Sequence, residues 1–256
     1  IKVNAKLNLL HLNMSNKLTI NYSPNFSSNT RITKNIRFLI FHYTGMTSEK
    51  KAINRLTNEK SKVSSHYFIK RNGELILMVP DLHIAWHAGK SVWKKYKSLN
   101  KYSIGIELSN KGHGKGYQKF SKKQVLSLIR ISKLIIKKYK IKKFNILGHS
   151  DVAYNRKKDP GEKFPWQFLA KKKIGIWHNL NNNNLLKFRG TKITDDENKR
   201  LLLYLSKIGY FLNKRSNLQI KKLLVAFQRR FRPELINGKF DRECLIIAKK
   251  LSKLSN

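Results

Sequence analysis

An α/β architecture, with a mixed central sheet flanked by helices and a small three-helix domain after it, is what the sequence predicts. Three observations lead there. Short runs of branched and aromatic residues interleave with helical periodicity over residues 37–177. The dipeptide Asn72-Gly73 separates two of those runs as a tight hairpin turn would. After Trp177 the strand-like runs stop and three helical patterns follow. A chain of 256 residues has room for one catalytic-sized domain and a smaller one.

In chain order, residues 1–36 are polar, with Pro24 and a Ser/Asn cluster, and predict an irregular lead-in. Because the chain opens on Ile1, its native start and any targeting peptide are expected to lie upstream. Residues 37–44 (RFLIFHYT) predict a strand closed by Gly45. Ser48 offers an N-cap to a helix with Ala52, Ile53 and Leu56 at helical spacing. Residues 66–70 and 74–79 form the two arms of the hairpin, and 103–109 (SIGIELS) another strand. Ser121 with Gln124 makes a capping box for a long helix whose buried stripe holds Val125, Leu128, Ile129, Ile136 and Tyr139. Residues 144–147 return as a strand ending at Gly148-His149. The Asn-rich stretch 178–193 predicts a linker. Thr194 and Glu197 then cap the first of three helices near 195–207, 218–231 and 241–253.

Composition excludes several classes. A single Cys cannot pair within its own chain, so no disulfide scaffold exists. No window has the roughly 18 uninterrupted apolar residues of a membrane-spanning helix. The formal charge of +41 would attract any polyanion, nucleic acid and acidic glycan alike. Lys and Asn are spread along the whole chain rather than gathered in a patch, so no nucleic-acid partner is expected.

Carboxylates are scarce, and those in apolar strands stand out. In SIGIELS, Ile104, Ile106 and Leu108 share one face, which leaves Gly105, Glu107 and Ser109 on the other. Glu107 is either a partly exposed residue paired with a lysine or a carboxylate facing a cavity or cation. His42 replaces an apolar residue at the end of one strand face, and His149 also stands where a strand ends. Each is either a satisfied core imidazole or a ligand. Two imidazoles and the loop carboxylate Asp159 are a set that can bind zinc through three protein groups and leave its fourth position to water. Open α/β sheets bind ligands at strand ends, where His42 and His149 would meet.

The segments FHYT (41–44), SSHYFIKRNGEL (64–75), AWHAG (85–89), SIGIELSN (103–110) and GHSDVAYNRKKDPG (148–161) occur in that order. Together they resemble the type 2 N-acetylmuramoyl-L-alanine amidases, zinc hydrolases of peptidoglycan. The resemblance implies one Zn2+ held by His42, His149 and Asp159, with Glu107 as catalytic glutamate and Lys157 as catalytic lysine. Lys158 lies between Lys157 and Asp159, but the family spacing of lysine, any residue, aspartate selects Lys157. It further implies a catalytic domain over 37–177, with peptidoglycan or muropeptides as partner. His66, Tyr67 and His87 fall in matching segments, with roles in shaping or lining the cleft. Trp86, Trp93 and Tyr96 are candidates for stacking on sugar or peptide as well as for core packing. His83 and His113 carry no spacing argument, and Cys244 is expected to pack rather than react.

Residues 194–256, above all VAFQRRFRPELINGKFD (225–241), resemble a small three-helix peptidoglycan-binding module. A helical cap that only stabilises the catalytic domain is the alternative. Two further classes stay open: a non-catalytic muropeptide-binding protein and, on charge alone, a nucleic-acid-binding protein. Similarity to amidases that carry a wall-binding appendage implies a periplasmic or envelope location, with the cytoplasm as the alternative.

Overall fold

The computed structural model describes residues 18–212 and 216–254. Ten strands precede the C-terminal helices: β1 (Leu18–Ile20), β2 (Phe26–Thr30), β3 (Phe38–Tyr43), β4 (Tyr67–Ile69), β5 (Leu75–Leu77), β6 (His83–Ala85), β7 (Val92–Trp93), β8 (Tyr96–Lys97), β9 (Ser103–Leu108) and β10 (Ile146–Gly148). The helices are α1 (Glu49–Thr57), α2 (Lys122–Tyr139), α3 (His149–Val152), α4 (Trp166–Lys171), α5 (Asn182–Leu186), α6 (Asp195–Ile208), α7 (Asn217–Phe231) and α8 (Arg242–Lys253).

Six strands form one mixed sheet in the order β1-β5-β4-β9-β3-β10. All neighbours run parallel except β4 and β5, the two arms of the predicted hairpin. Their turn uses Gly73 at φ +88, a conformation that suits a residue without Cβ. The register pairs His42 of β3 with Glu107 of β9, and Phe68 of β4 with the same glutamate.

Strand alternation in β3 and β9 feeds two of the three core clusters among the described residues; the third joins Phe68 and Ile76 to Ala52 and Leu56 of α1. Leu39 and Phe41 of β3, with Ile104, Ile106 and Leu108 of β9, pack against Leu128, Ile131 and Ile135 of α2. Phe38 and Ile40 point to the opposite face, into a cluster shared with Leu201, Leu205, Phe227, Phe231 and Ile247 of the C-terminal helices. His42 continues that second face at the strand end. The capping boxes of α2 and α6 form as expected, with Gln124 N–H donating to Ser121 and Glu197 N–H to Thr194.

Two expectations need correction. The lead-in 1–36 is not irregular where it is described: β1 adds to the sheet edge beside β5, and β2 pairs with β6; residues 1–17 lie outside the described residues. These strands draw their stability from borrowed backbone partners, which polar short segments do not advertise. The stretch 178–193 is not a bare linker either. It carries α5, capped by the Asn181 side chain, and buries Leu185 in the core shared with the C-terminal helices.

Candidate active site

Three elements deliver the predicted ligands to one point. His42 sits near the end of β3, His149 opens α3 directly after β10, and Asp159 lies on the loop that follows. Their donor atoms form a nearly equilateral triangle. His42 Nδ1 is 3.0 Å from His149 Nδ1 and 3.1 Å from Asp159 Oδ2, and His149 Nδ1 is 3.0 Å from the same oxygen. All three residues are buried.

Local chemistry explains the convergence. A Cβ on Gly148 would lie 2.7 Å from Pro160, so only glycine lets the Asp159 loop close against the end of β10. Ser150 N–H donates to the Asp159 carbonyl at 2.8 Å and locks that loop. Asp151 accepts from Gly148 N–H at 2.7 Å and from Tyr210 Oη at 2.6 Å, and pairs with Arg230 of α7. The turn that carries His149 is therefore gripped from the C-terminal helices.

The donor set fits a divalent ion. Ligands at 2.0–2.1 Å in a tetrahedron stand about 3.3 Å apart, close to the edges seen here. The His149 Nε2 lies 3.1 Å from the Ala88 carbonyl oxygen, which only accepts, so Nε2 is the donor there, and in a neutral imidazole Nδ1 is then the nitrogen free to bind an ion.

Glu107 stands beside this triangle, on the strand position paired with His42. Its Oε2 is buried and has no hydrogen-bond partner among the described residues. Burial, then the negative charge of Asp159, push its carboxyl up to about 8, against the opposing pull of Lys157. Burial, with His149 adjacent, pushes the His42 imidazole down to about 4. Burial alone would raise the Asp159 carboxyl, yet the charges and hydrogen bonds of His149 and His42 hold it well below the usual carboxylate range. The Lys157 charge bears on both His42 and Glu107, whereas Lys158 is exposed.

The remaining candidates divide. His66 accepts from Gly105 N–H at 3.0 Å, and Tyr67 donates to Asp81 at 2.7 Å, so both brace the sheet. Trp93 is buried against Tyr210 with ring centroids 4.9 Å apart, and Tyr96 packs on Phe38. Core packing thus claims both. Trp86 is half-buried and donates to Ser27. Cys244 is buried, with its thiol pushed up by burial and by Asp241. His113 does have a place: it joins Tyr43 Oη at 2.8 Å to Glu162 at 2.9 Å. Asp151, His113 and the contacts of His87 escaped the sequence reading because each depends on residues remote along the chain.

A profile of the N-acetylmuramoyl-L-alanine amidase family matches residues 32–162. The amidase AmiD of Escherichia coli is 36% identical over 229 residues, covering 84% of this chain and 82% of that protein. Its structure, solved with the substrate anhydro-N-acetylmuramic acid-L-Ala-D-gamma-Glu-L-Lys, superposes with a TM-score of 0.77 at 35% identity, covering 89% of this chain and 91% of that one. AmpDh3 of Pseudomonas aeruginosa, in complex with anhydromuramic pentapeptide, gives a TM-score of 0.76 at 30% identity, covering 93% and 99%. With the profile spanning half the sequence and one relative matched over most of its length, this chain belongs to the N-acetylmuramoyl-L-alanine amidase family.

Proposed function

We propose that the chain is a zinc-dependent amidase that cuts the bond between the lactyl group of N-acetylmuramic acid, or its anhydro form, and L-alanine in peptidoglycan or muropeptides. The observation that carries this reading is the triangle of donor atoms with edges of 3.0–3.1 Å beside an unpartnered glutamate oxygen. The anhydromuramyl peptides bound by the two relatives support the substrate class.

His42, His149 and Asp159 would hold the ion. Zinc bound there supplies Lewis acidity, which activates water at neutral pH and polarises the scissile carbonyl. Glu107 accepts the proton of the attacking water and passes it to the departing alanine nitrogen as the C–N bond breaks. Lys157 places a fixed positive charge where the oxyanion develops, a charge present mainly in the transition state.

The same reading assigns residues 37–177 to catalysis and 194–256 to wall binding, which would raise the local substrate concentration. It places the protein in the periplasm or cell envelope, where intact peptidoglycan is found. No helix among the described residues is long and apolar enough to cross a membrane.

Dialysis against a chelator should abolish release of L-alanine-terminated peptides from muropeptides, and zinc should restore it. Mass spectrometry of the products from intact sacculi and from anhydro-muropeptides identifies the bond cut and the preferred form. Retention of full activity after complete metal removal would overturn the reading.

A further inference from the structure

The two imidazoles of the donor triangle reach it through Nδ1, and something must keep those nitrogens free of protons. We infer that residues 87 and 88, in the AWHAG segment, set the tautomers of both, with His87 acting as a positioning residue for His42 and the Ala88 carbonyl for His149. The inference rests on the metal site proposed above and adds residues to it.

Ser103 Oγ lies 2.6 Å from the Leu99 carbonyl oxygen, which only accepts, so the serine hydroxyl spends its one hydrogen there. His87 Nε2 lies 3.2 Å from that Oγ, so the imidazole is the donor in this contact. A neutral imidazole has one N–H, which leaves His87 Nδ1 an acceptor. Nδ1 is 3.0 Å from His42 Nε2, so His42 donates from Nε2 and turns a bare Nδ1 toward Asp159 and His149. Among the described residues, the ring nitrogens of His87 touch only His42 and Ser103, with no carboxylate to retain a second proton.

Ala88 completes the pair. Its carbonyl accepts from His149 Nε2 at 3.1 Å and from Arg156 at 2.5 Å. The segment itself is held from behind, since the N–H groups of His87 and Ala88 donate to Asn100 Oδ1 at 3.2 and 2.6 Å.

The sheet is also shaped for the His87 ring. A Cβ on Gly105 would fall 2.5 Å from its Cγ, so this strand position must lack a side chain. Ser103, Gly105 and Glu107 share one face of β9 by the two-residue period. One strand face thus anchors the relay, makes room for it and carries the carboxylate beside the ligands. Partners of this kind orient metal-binding histidines and raise their basicity.

The test measures zinc affinity of the full chain by competition with a chelator, alongside activity. His87→Phe keeps a ring but offers His42 no acceptor, and should weaken zinc binding about 10- to 100-fold. His87→Asn retains an acceptor near Nδ1 and should restore most of the affinity. Long-range 1H–15N correlation spectra of the zinc-loaded native protein should show His87 protonated at Nε2 and His42 at Nε2. The inference is overturned if folded His87→Phe binds zinc within about threefold of the native protein, or if native His87 carries its proton on Nδ1. The spectrum decides the matter even if the variant does not fold. If the native chain binds no zinc at all, the metal site itself fails, a result separate from a native chain that binds zinc regardless of residue 87.

Discussion

Arg230→Met tests how firmly the C-terminal helices hold the site. Asp151 is buried and its carboxylate accepts from Gly148 N–H, Tyr210 Oη and the Arg230 guanidinium. Arg230 also donates to the Ile146 carbonyl at 3.0 Å and lies over the Trp166 ring, 4.2 Å from its centroid. Methionine keeps much of the apolar stem but leaves a buried carboxylate with two hydrogen bonds and no cation. Losing one partner of a buried pair costs about 3–5 kcal/mol, a large part of the ~5–15 kcal/mol that holds a domain together. Urea unfolding of the metal-free protein reads the loss, and chelator competition reads its effect on zinc. Affinity should fall with stability, because Asp151 fixes the turn one residue before His149. Asp151→Asn combined with Arg230→Met removes both charges, so the pair should cost clearly less than the sum of the single changes. A loss below about 1 kcal/mol for Arg230→Met, or simple additivity in the double variant, would mean that the Arg230–Asp151 pair does not brace the site.

Other outcomes are expected as follows. Glu107→Gln should lower turnover by about 10^2- to 10^4-fold while metal analysis still finds one zinc per chain; loss of the metal would instead make Glu107 a ligand. Lys157→Ala should reduce kcat by roughly 10^2-fold with little change in KM, and a rise in KM alone would make the lysine a binding residue. His178 is buried, and burial pushes its imidazole down to about 4. The unfolded chain therefore takes up a proton below about pH 6.5 that the folded chain refuses, so this contribution is full above pH 6.5 and lost as pH falls toward 4. The loss amounts to about 3 kcal/mol at most, and His178→Asn should flatten the slope of stability against pH across that window.

Much of the sheet was legible because its central strands bury both faces. RFLIFHYT and SIGIELS are dense in residues that suit a covered strand, and the capping pair Ser121 and Gln124 marks the start of α2 without any tertiary information. β1, β2 and β6 to β8 have only two to five residues each and are stabilised mainly by what they pair with. Periodicity has no room to appear in such segments. At the site, alternation along β9 put Glu107 on the face opposite Ile104 and Ile106, and the register then set it beside His42. The candidate ligands were picked out by ordered motifs resembling a family, and the 3.0–3.1 Å spacing of their donor atoms came only with the fold. His87 and Asp151 were beyond reach for one physical reason: what each does depends on a partner across the molecule.

The grip of Arg230 on Asp151 has a bearing on how the protein is made. The two residues are 79 positions apart, and synthesis delivers Asp151 first. Until α7 arrives, the turn at His149 holds a carboxylate that lacks the guanidinium with which it pairs in the fold, and its burial is correspondingly costly. A fragment that ends before α7 should therefore leave the turn at His149 unbraced, and should hold zinc less tightly than the full chain.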